Sequence, residues 1–276
     1  MIRRPPRSTQ GVSSAASDVY KRQLYGLRTW NKTPLQHLKD LDFLGPDVVC
    51  GHGVWVTDED IETMASHKVS LCHNASSNLR LKSGIAPVNY FLDKGLRIAL
   101  GSDEAGLNDD KDMVQEMRLA LNVHRVPGVE KIPPTAHQIF QMATVNGAYA
   151  SSFGDRVGVL KVGKRADVVL MNLENIENPY LNPEVSIVDA VVHRGRSVDI
   201  DTVIVEGEVI MKGRKLTQID EEILYKEVEG MMSRSPTEDE LNRRDLAEKL
   251  APYAANFLEG AVPSSDQTHY YYNARD

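Results

Sequence analysis

Short apolar runs alternate with amphipathic segments over much of the first half of the chain. Three runs are almost continuously apolar, which is typical of parallel strands buried on both faces: PDVVCGH, VSLCHN and RIALGSD. The segments between them have helical spacing. Thr57 and Asp60 predict a capping box at the start of one helix, and Gly95 predicts the end of another. This alternation predicts successive β/α units that build a parallel sheet.

A polar residue with acid, base or metal-binding chemistry stands at the end of each apolar run. These residues are His52, His73 and Asp103. Any one of them by itself commonly caps a helix or fixes a loop. Three in succession are informative, because the carboxyl ends of the strands line the active site of a (β/α)₈ barrel. We therefore predict an α/β fold with a functional site at this edge of a barrel or open sheet.

The second half of the chain follows a different pattern. Strand-like segments separated by glycine turns, as in DTVIVEGEVIMKGRK, predict antiparallel hairpins and a small β-domain over residues 155–216. Residues 217–276 read as C-terminal helices and a tail, with Ser235 and Glu238 as a predicted capping box. The preceding residues 24–154 then hold a partial (β/α) barrel with three strands.

The first 23 residues have neither helical nor strand periodicity and no apolar core of a secretory signal. They resemble the translated adapter read-through found at the start of some assembled reading frames. We therefore interpret residues 1–23 as a non-native leader and expect the true gene to begin further upstream.

Composition excludes several classes of function. The chain has 276 residues with a formal net charge of −7, and the leader is basic, so the remainder is more acidic still; this argues against a nucleic-acid partner. No apolar run approaches the ~20 residues of a membrane span. The two cysteines, Cys50 and Cys72, are too few for a disulfide scaffold and indicate a reducing, cytoplasmic location. They lack the paired spacing of structural zinc sites, so we interpret both as core residues.

Several motifs together resemble the amidohydrolase superfamily, in the branch of cytosine and guanine deaminases, adenosyl-homocysteine deaminases and triazine hydrolases. The motifs that carry the resemblance are HGVW at 52–55, HNASSNLRLKSGIAPV at 73–88, GSD at 101–103, NDDKDMVQEMR at 108–118, GKRADVV at 163–169 and DTVIVEG at 201–207. The resemblance implies the C-terminal part of a (β/α)₈ metallohydrolase barrel, part of a small β-sandwich and a helical tail.

The resemblance also implies roles for individual residues. Asp103 corresponds to an aspartate that ligates one divalent metal, most often zinc, and accepts a proton from a metal-bound water. His52 corresponds to a histidine that hydrogen-bonds and orients this water or the developing oxyanion, and His73 lies on the substrate side of the pocket. Glu104 stands where much of the branch has glycine, so its side chain is expected either to shape the substrate-binding pocket or to turn outward. The implied reaction hydrolyses a carbon–nitrogen bond other than a peptide bond, as in deamination of a small N-heterocycle.

The family's other metal ligands, a His-x-His pair and a histidine followed by a catalytic glutamate, would precede residue 24 and are not present. We therefore expect this chain to be an inactive C-terminal fragment of a metal-dependent hydrolase. The competing hypothesis is a non-catalytic binding or oligomerisation module derived from such a barrel. A phosphate-binding barrel enzyme is a weaker alternative, because no glycine-rich phosphate loop is present. Relatives that form dimers or larger assemblies make a homo-oligomer a further expectation.

Overall fold

The computed structural model describes residues 19–103, 111–125 and 133–258. The first part of this region alternates strands and helices: α1 (Val19–Trp30), α2 (Pro34–Asp40), β1 (Val49–Gly51), α3 (Asp58–Ser66), β2 (Ser70–His73), α4 (Ala75–Arg80), α5 (Val88–Asp93), β3 (Arg97–Leu100), α6 (Met113–Val123), α7 (Ala136–Ala143) and α8 (Val145–Ala150). The remainder holds β4 (Val168–Met171), α9 (Glu174–Glu177), α10 (Ile187–Arg194), β5 (Ile200–Val205), β6 (Glu208–Lys212), β7 (Lys215–Leu216), α11 (Glu221–Met232) and α12 (Glu238–Leu258).

The three strands predicted in the first half form one parallel sheet in the order β1-β2-β3. Leu71 in the central strand pairs with Cys50 on one side and with Ile98 on the other. Leu71 and Ile98 are almost completely buried, as expected for a strand that is covered on both faces. The prediction of parallel β/α units is confirmed.

Local capping signals place the helices that follow these strands. The Thr57 hydroxyl accepts from the Asp60 backbone N–H, while the Asp60 carboxylate accepts from the Thr57 N–H, so the predicted capping box is present. Gly95 follows α5 with a φ of 68° and donates to the Leu92 carbonyl. A left-handed glycine at this position is a common helix terminator, and it confirms the predicted end of α5.

The helices bury one apolar face each against the parallel sheet. Ile61 and Met64 of α3, Phe91 of α5, Leu121 of α6 and Ile139 of α7 are all at most 1% exposed and belong to one core. Complete burial of an aliphatic or aromatic side chain contributes about 1.5–3 kcal/mol. This core therefore holds the carboxyl ends of the strands in a fixed arrangement.

The predicted glycine turns join the strands of a second, antiparallel sheet in the order β4-β5-β6-β7. Glu206 and Gly207 link β5 to β6 with φ values of 52° and 87°, and Gly213 and Arg214 link β6 to β7 with 55° and 64°. Two successive positive φ values are the signature of the type I′ hairpin turn, whose twist matches that of the strands. The antiparallel hairpins are thus confirmed.

The chain segments at the two ends of the described region differ in detail from the predictions. Helix α1 runs through residue 24, and Gln23 donates to the Trp55 carbonyl at 2.8 Å; the non-native origin of residues 1–23 stays a prediction, and residues 1–18 lie outside the described region. The capping box predicted at Ser235 is wrong, because Thr237 accepts from the Glu240 N–H and Glu240 accepts from the Thr237 N–H.

None of the described helices is both long enough and apolar enough to cross a membrane.

Candidate active site

The parallel sheet brings two of the predicted site residues together at its carboxyl edge. His52 directly follows β1, and its backbone N–H donates to the Cys72 carbonyl in β2. Asp103 follows β3, which is held to β2 by a Gly101 N–H bond to the His73 carbonyl. As a result, His52 Nε2 lies 3.7 Å from Asp103 Oδ2. The imidazole is buried and the carboxylate is 20% exposed, so the pair borders a solvent-accessible space.

Both residues have backbone conformations that are unusual for their type. His52 has a φ of 65° and Asp103 a φ of 60°. Lys68 and Lys82 also have positive φ, but they lie just beyond the ends of helices, where this conformation is ordinary. At His52 it occurs directly after β1, and at Asp103 it occurs three residues after the end of β3. Strained conformations of this kind concentrate at functional sites.

The short helix α4 holds both side chains through two neighbouring residues. Ser77 donates its hydroxyl hydrogen to Asp103 Oδ2 at 2.7 Å. Asn78 Oδ1 lies 2.6 Å from His52 Nδ1. Both α4 residues are at most 1% exposed, so neither contact competes with bulk solvent. The sequence motif around 73–88 therefore supplies the groups that orient the side chains of His52 and Asp103.

Residues 111–118, the described part of the motif over residues 108–118, have a structural role. Glu116 is a buried carboxylate of α6 and accepts from the Ser76 backbone N–H at 3.0 Å, which attaches α4 to α6. Asp112 caps α6 by accepting from the Val114 N–H at 2.8 Å. Sequence reasoning did not identify Glu116. The signal that could have found it is an acidic residue on the apolar face of an amphipathic helix.

His73 is placed in the core and contacts a second histidine. Its Nε2 lies 2.9 Å from His124 Nε2, and the two rings are tilted with centroids 4.9 Å apart. Burial lowers the pKa of His124 to about 4, and burial together with the neighbouring His124 and His52 holds the pKa of His73 well below its usual range. Both rings are therefore neutral near pH 7. The substrate contact expected of His73 stays a prediction, and Glu104 lies outside the described residues.

Both cysteines fit the predicted role of core residues. Burial raises the pKa of Cys50 to about 11, and burial with the nearby charges of Asp103 and Glu116 raises the pKa of Cys72 to about 11. A thiol binds metal or attacks carbon as the thiolate, so neither group is activated for this chemistry.

A pocket of about 480 Å³ lies elsewhere, beside β1, and is lined mainly by apolar side chains that include Trp30, Leu35 and Phe43. It includes none of His52, His73 and Asp103.

The residues that could hold a metal form an incomplete set in the described part of the chain. Asp103 offers a carboxylate, but these residues contain no cluster of three or more His, Cys, Asp or Glu side chains arranged for a metal ion. Catalytic zinc is normally held by three protein ligands. The described residues therefore supply only one ligand of a metal site.

Gly101 allows the strand end to approach the neighbouring loop closely. A Cβ atom at this position would lie 2.5 Å from Asn74 Oδ1 and 2.6 Å from Cys72 Sγ. We expect Gly101→Ala to lower the free energy of unfolding by about 1–3 kcal/mol through this overpacking, measured as a shift in the urea midpoint. Gly147→Ala is the matched control, because its nearest non-neighbouring atom would be at 3.5 Å. Equal midpoints for the two variants would contradict the prediction.

Comparison with known proteins decides the family. The amidohydrolase family matches residues 12–210, which is more than half of the chain. The chain belongs to the amidohydrolase family. This amidohydrolase is 38% identical over 219 residues to the 5-methylthioadenosine/S-adenosylhomocysteine deaminase of Caldanaerobacter subterraneus subsp. tengcongensis, covering 79% of the chain and 50% of that protein. It is 37% identical over 198 residues to the 5′-deoxyadenosine deaminase of Methanosarcina acetivorans, covering 72% of the chain and 45% of that protein.

Solved structures confirm the fold of this amidohydrolase. An adenosine deaminase from Xanthomonas campestris with bound zinc superposes with a TM-score of 0.74 at 25% identity, covering 80% of the chain and 49% of that protein. A zinc complex of atrazine chlorohydrolase from Arthrobacter aurescens gives 0.70 at 23% identity, with coverages of 76% and 46%; this second likeness shows the fold alone. The predicted family and the metallohydrolase barrel class are confirmed. The chain spans about half the length of the curated relatives it matches.

Proposed function

We propose that this amidohydrolase chain supplies part of the active site of a metal-dependent aminohydrolase that deaminates a small N-heterocycle. The observation that carries the proposal is the close approach of His52 Nε2 and Asp103 Oδ2 at the carboxyl edge of the parallel sheet. The curated relatives are named as deaminases of 5′-modified adenine nucleosides, so we place the substrate in that class.

Each of the two residues has a separate part in the proposed chemistry. The Asp103 carboxylate accepts a proton from the attacking water, and His52 accepts a second hydrogen bond from the same water and orients it. The water oxygen bonds to the ring carbon, the bond to the amino group breaks, and ammonia leaves with the transferred proton. Ser77 keeps the carboxylate aimed at this reaction through its hydroxyl bond.

A divalent metal is part of the proposal, with zinc supported by the zinc-bound adenosine deaminase from Xanthomonas campestris. When bound, it would lower the pKa of a water towards neutrality. Asp103 would be one ligand. The described residues do not complete the set, so the remaining ligands must come from outside them.

The substrate class is tested with the reading frame extended upstream of the Leu24 codon in the source DNA. The extended protein is assayed for ammonia release from 5′-methylthioadenosine, S-adenosylhomocysteine and 5′-deoxyadenosine. Guanine and atrazine serve as comparison substrates from other branches. We expect the highest kcat/KM among the adenine nucleosides. A folded, zinc-loaded protein that deaminates none of the compounds would overturn the proposed function.

The 276-residue chain as such is expected to be inactive and to hold less than about 0.1 zinc ion per chain, because the described residues offer a single carboxylate, which cannot retain the metal. To check this, the chain is purified and dialysed against buffer that contains a trace of free zinc, and its zinc content is then measured by elemental analysis. A stoichiometric, tightly held zinc ion would contradict it and would show that this chain holds further ligands besides Asp103.

We also propose a cytoplasmic location, supported by two free cysteines that remain thiols. Formation of a homo-oligomer stays a prediction, to be measured by light scattering.

A further inference from the structure

Asn78 has a buried side-chain amide that contacts the imidazole ring of His52 and bears on which ring nitrogen carries the hydrogen. The Asn78 side chain is 1% exposed and that of His52 is 3% exposed, so solvent does not supply alternative partners. Asn78 Oδ1 lies 2.6 Å from His52 Nδ1. An amide oxygen only accepts hydrogen bonds, so at this distance the hydrogen must be on His52 Nδ1.

The consequence appears on the other side of the imidazole ring. A neutral histidine that carries its hydrogen on Nδ1 has a lone pair on Nε2. This Nε2 faces Asp103 Oδ2 at 3.7 Å, which is longer than the ~2.7–3.2 Å of a hydrogen bond. Two acceptors therefore face each other across a gap, and the gap suits a group with two hydrogens to donate, such as a water.

The opposite tautomer would remove this arrangement. With the hydrogen on Nε2, His52 would direct a donor towards the Asp103 carboxylate and would no longer accept a hydrogen bond at Nε2. In the observed orientation of the Asn78 amide, the lone pair on Nδ1 would then face the Asn78 oxygen at 2.6 Å, which leaves two buried acceptors without a hydrogen between them. A hydrogen bond to this tautomer requires the amide to rotate so that its nitrogen donates. The amide of Asn78 thus favours one tautomer on local chemistry.

We propose that Asn78 is a positioning residue that fixes His52 as the Nδ1–H tautomer and so directs the Nε2 lone pair into the gap beside Asp103. The catalytic meaning of this arrangement rests on the proposed function. The tautomer itself does not, because it follows from the contact between Asn78 and His52.

The test measures ring-nitrogen chemical shifts in the full 276-residue chain labelled with ¹⁵N-histidine. Long-range ¹H–¹⁵N spectra near neutral pH distinguish the two tautomers, and His52→Gln identifies the His52 signals. We expect the Nδ1–H form in the unmodified chain. Asn78→Leu, which has similar volume and no acceptor, should change the tautomer ratio at least about tenfold towards Nε2–H, since the lost hydrogen bond is worth about that factor.

Two further variants separate positioning from folding. Asn78→Asp keeps an acceptor and should retain the Nδ1–H form. Asn89→Leu removes an amide that donates to the His124 carbonyl at 3.0 Å and should leave the His52 ratio unchanged.

An Nε2–H form in the unmodified chain would overturn the proposal without any variant, and so would an unchanged ratio in Asn78→Leu. If the expected changes in tautomer ratio are observed but the extended protein has no deaminase activity, the proposed function is rejected. The assignment of Asn78 as a positioning residue then still holds.

Discussion

Replacing Asp103 by asparagine in the extended protein is expected to lower kcat for deamination by at least about 10³-fold, because a positioned general base contributes roughly 10²–10⁴-fold and the change also removes a charged metal ligand. The amide has nearly the shape of the carboxylate, so Ser77 can still donate to its oxygen at this position. The loss should therefore appear in kcat with the fold retained. Initial rates of ammonia release and far-UV circular dichroism measure the two effects separately.

The matched control is Asp93→Asn, which removes an exposed aspartate at the end of helix α5. Its rate should stay within about twofold of the parent, because an exposed surface substitution changes stability by only about 0.5 kcal/mol. Turnover by Asp103→Asn at a rate close to that of the control would show that Asp103 neither binds the metal nor accepts the proton. The proposed mechanism would then be wrong.

The three parallel strands could be predicted because their apolar runs are short, buried on both faces and separated by capped helices. The same pattern predicted that His52 and Asp103 share one edge, since parallel strands end on the same side of a sheet. At their 3.7 Å separation both residues have positive φ. Histidine and aspartate adopt this conformation more often than most residues, but it stays uncommon for them, and the local pattern does not say at which position it occurs.

The partners of the site residues could not be predicted, because they are separated by long stretches of chain. Asn78 lies 26 residues from His52, and His124 lies 51 residues from His73. Periodicity places His124 on the buried face of α6, but it does not say which strand end that face meets. Such contacts are fixed by the packing of helices on the sheet and not by local propensity.

The capping box at α12 shows a different limit. The segment SPTEDE offers two overlapping boxes, Ser235 with Glu238 and Thr237 with Glu240. The structure uses the second, in which Glu240 also pairs with Arg234 at 2.7 Å. Both boxes satisfy the same local rule. In the observed capping box Glu240 makes this additional contact with Arg234, and the spacing in the sequence did not reveal that contact.

Acidification is expected to destabilise the chain through the buried pair of His73 and His124. Burial lowers the pKa of His124 to about 4, whereas an unfolded histidine has a pKa near 6.5. Between these values the unfolded state binds a proton that the folded state does not, so stability is present above about pH 6.5 and falls as the pH decreases. From about pH 7 to about pH 5, His124 should remove roughly 2 kcal/mol from the free energy of unfolding. The lowered pKa of His73 acts in the same direction.

Urea unfolding at several pH values measures this effect, and His124→Gln isolates it because glutamine does not titrate. The variant should be less stable near pH 7, where it loses the hydrogen bond to His73, but its stability should fall less steeply towards pH 5. His137→Gln, a substitution at an exposed residue of α7, should retain the parent slope. A parent slope that His124→Gln leaves unchanged would mean that the ring binds its proton equally in the folded and unfolded states, so that it is charged in the folded chain near pH 5. A buried imidazolium next to a second histidine would then need an acidic partner, and the carboxylates that border the parallel sheet would become the place to look for it.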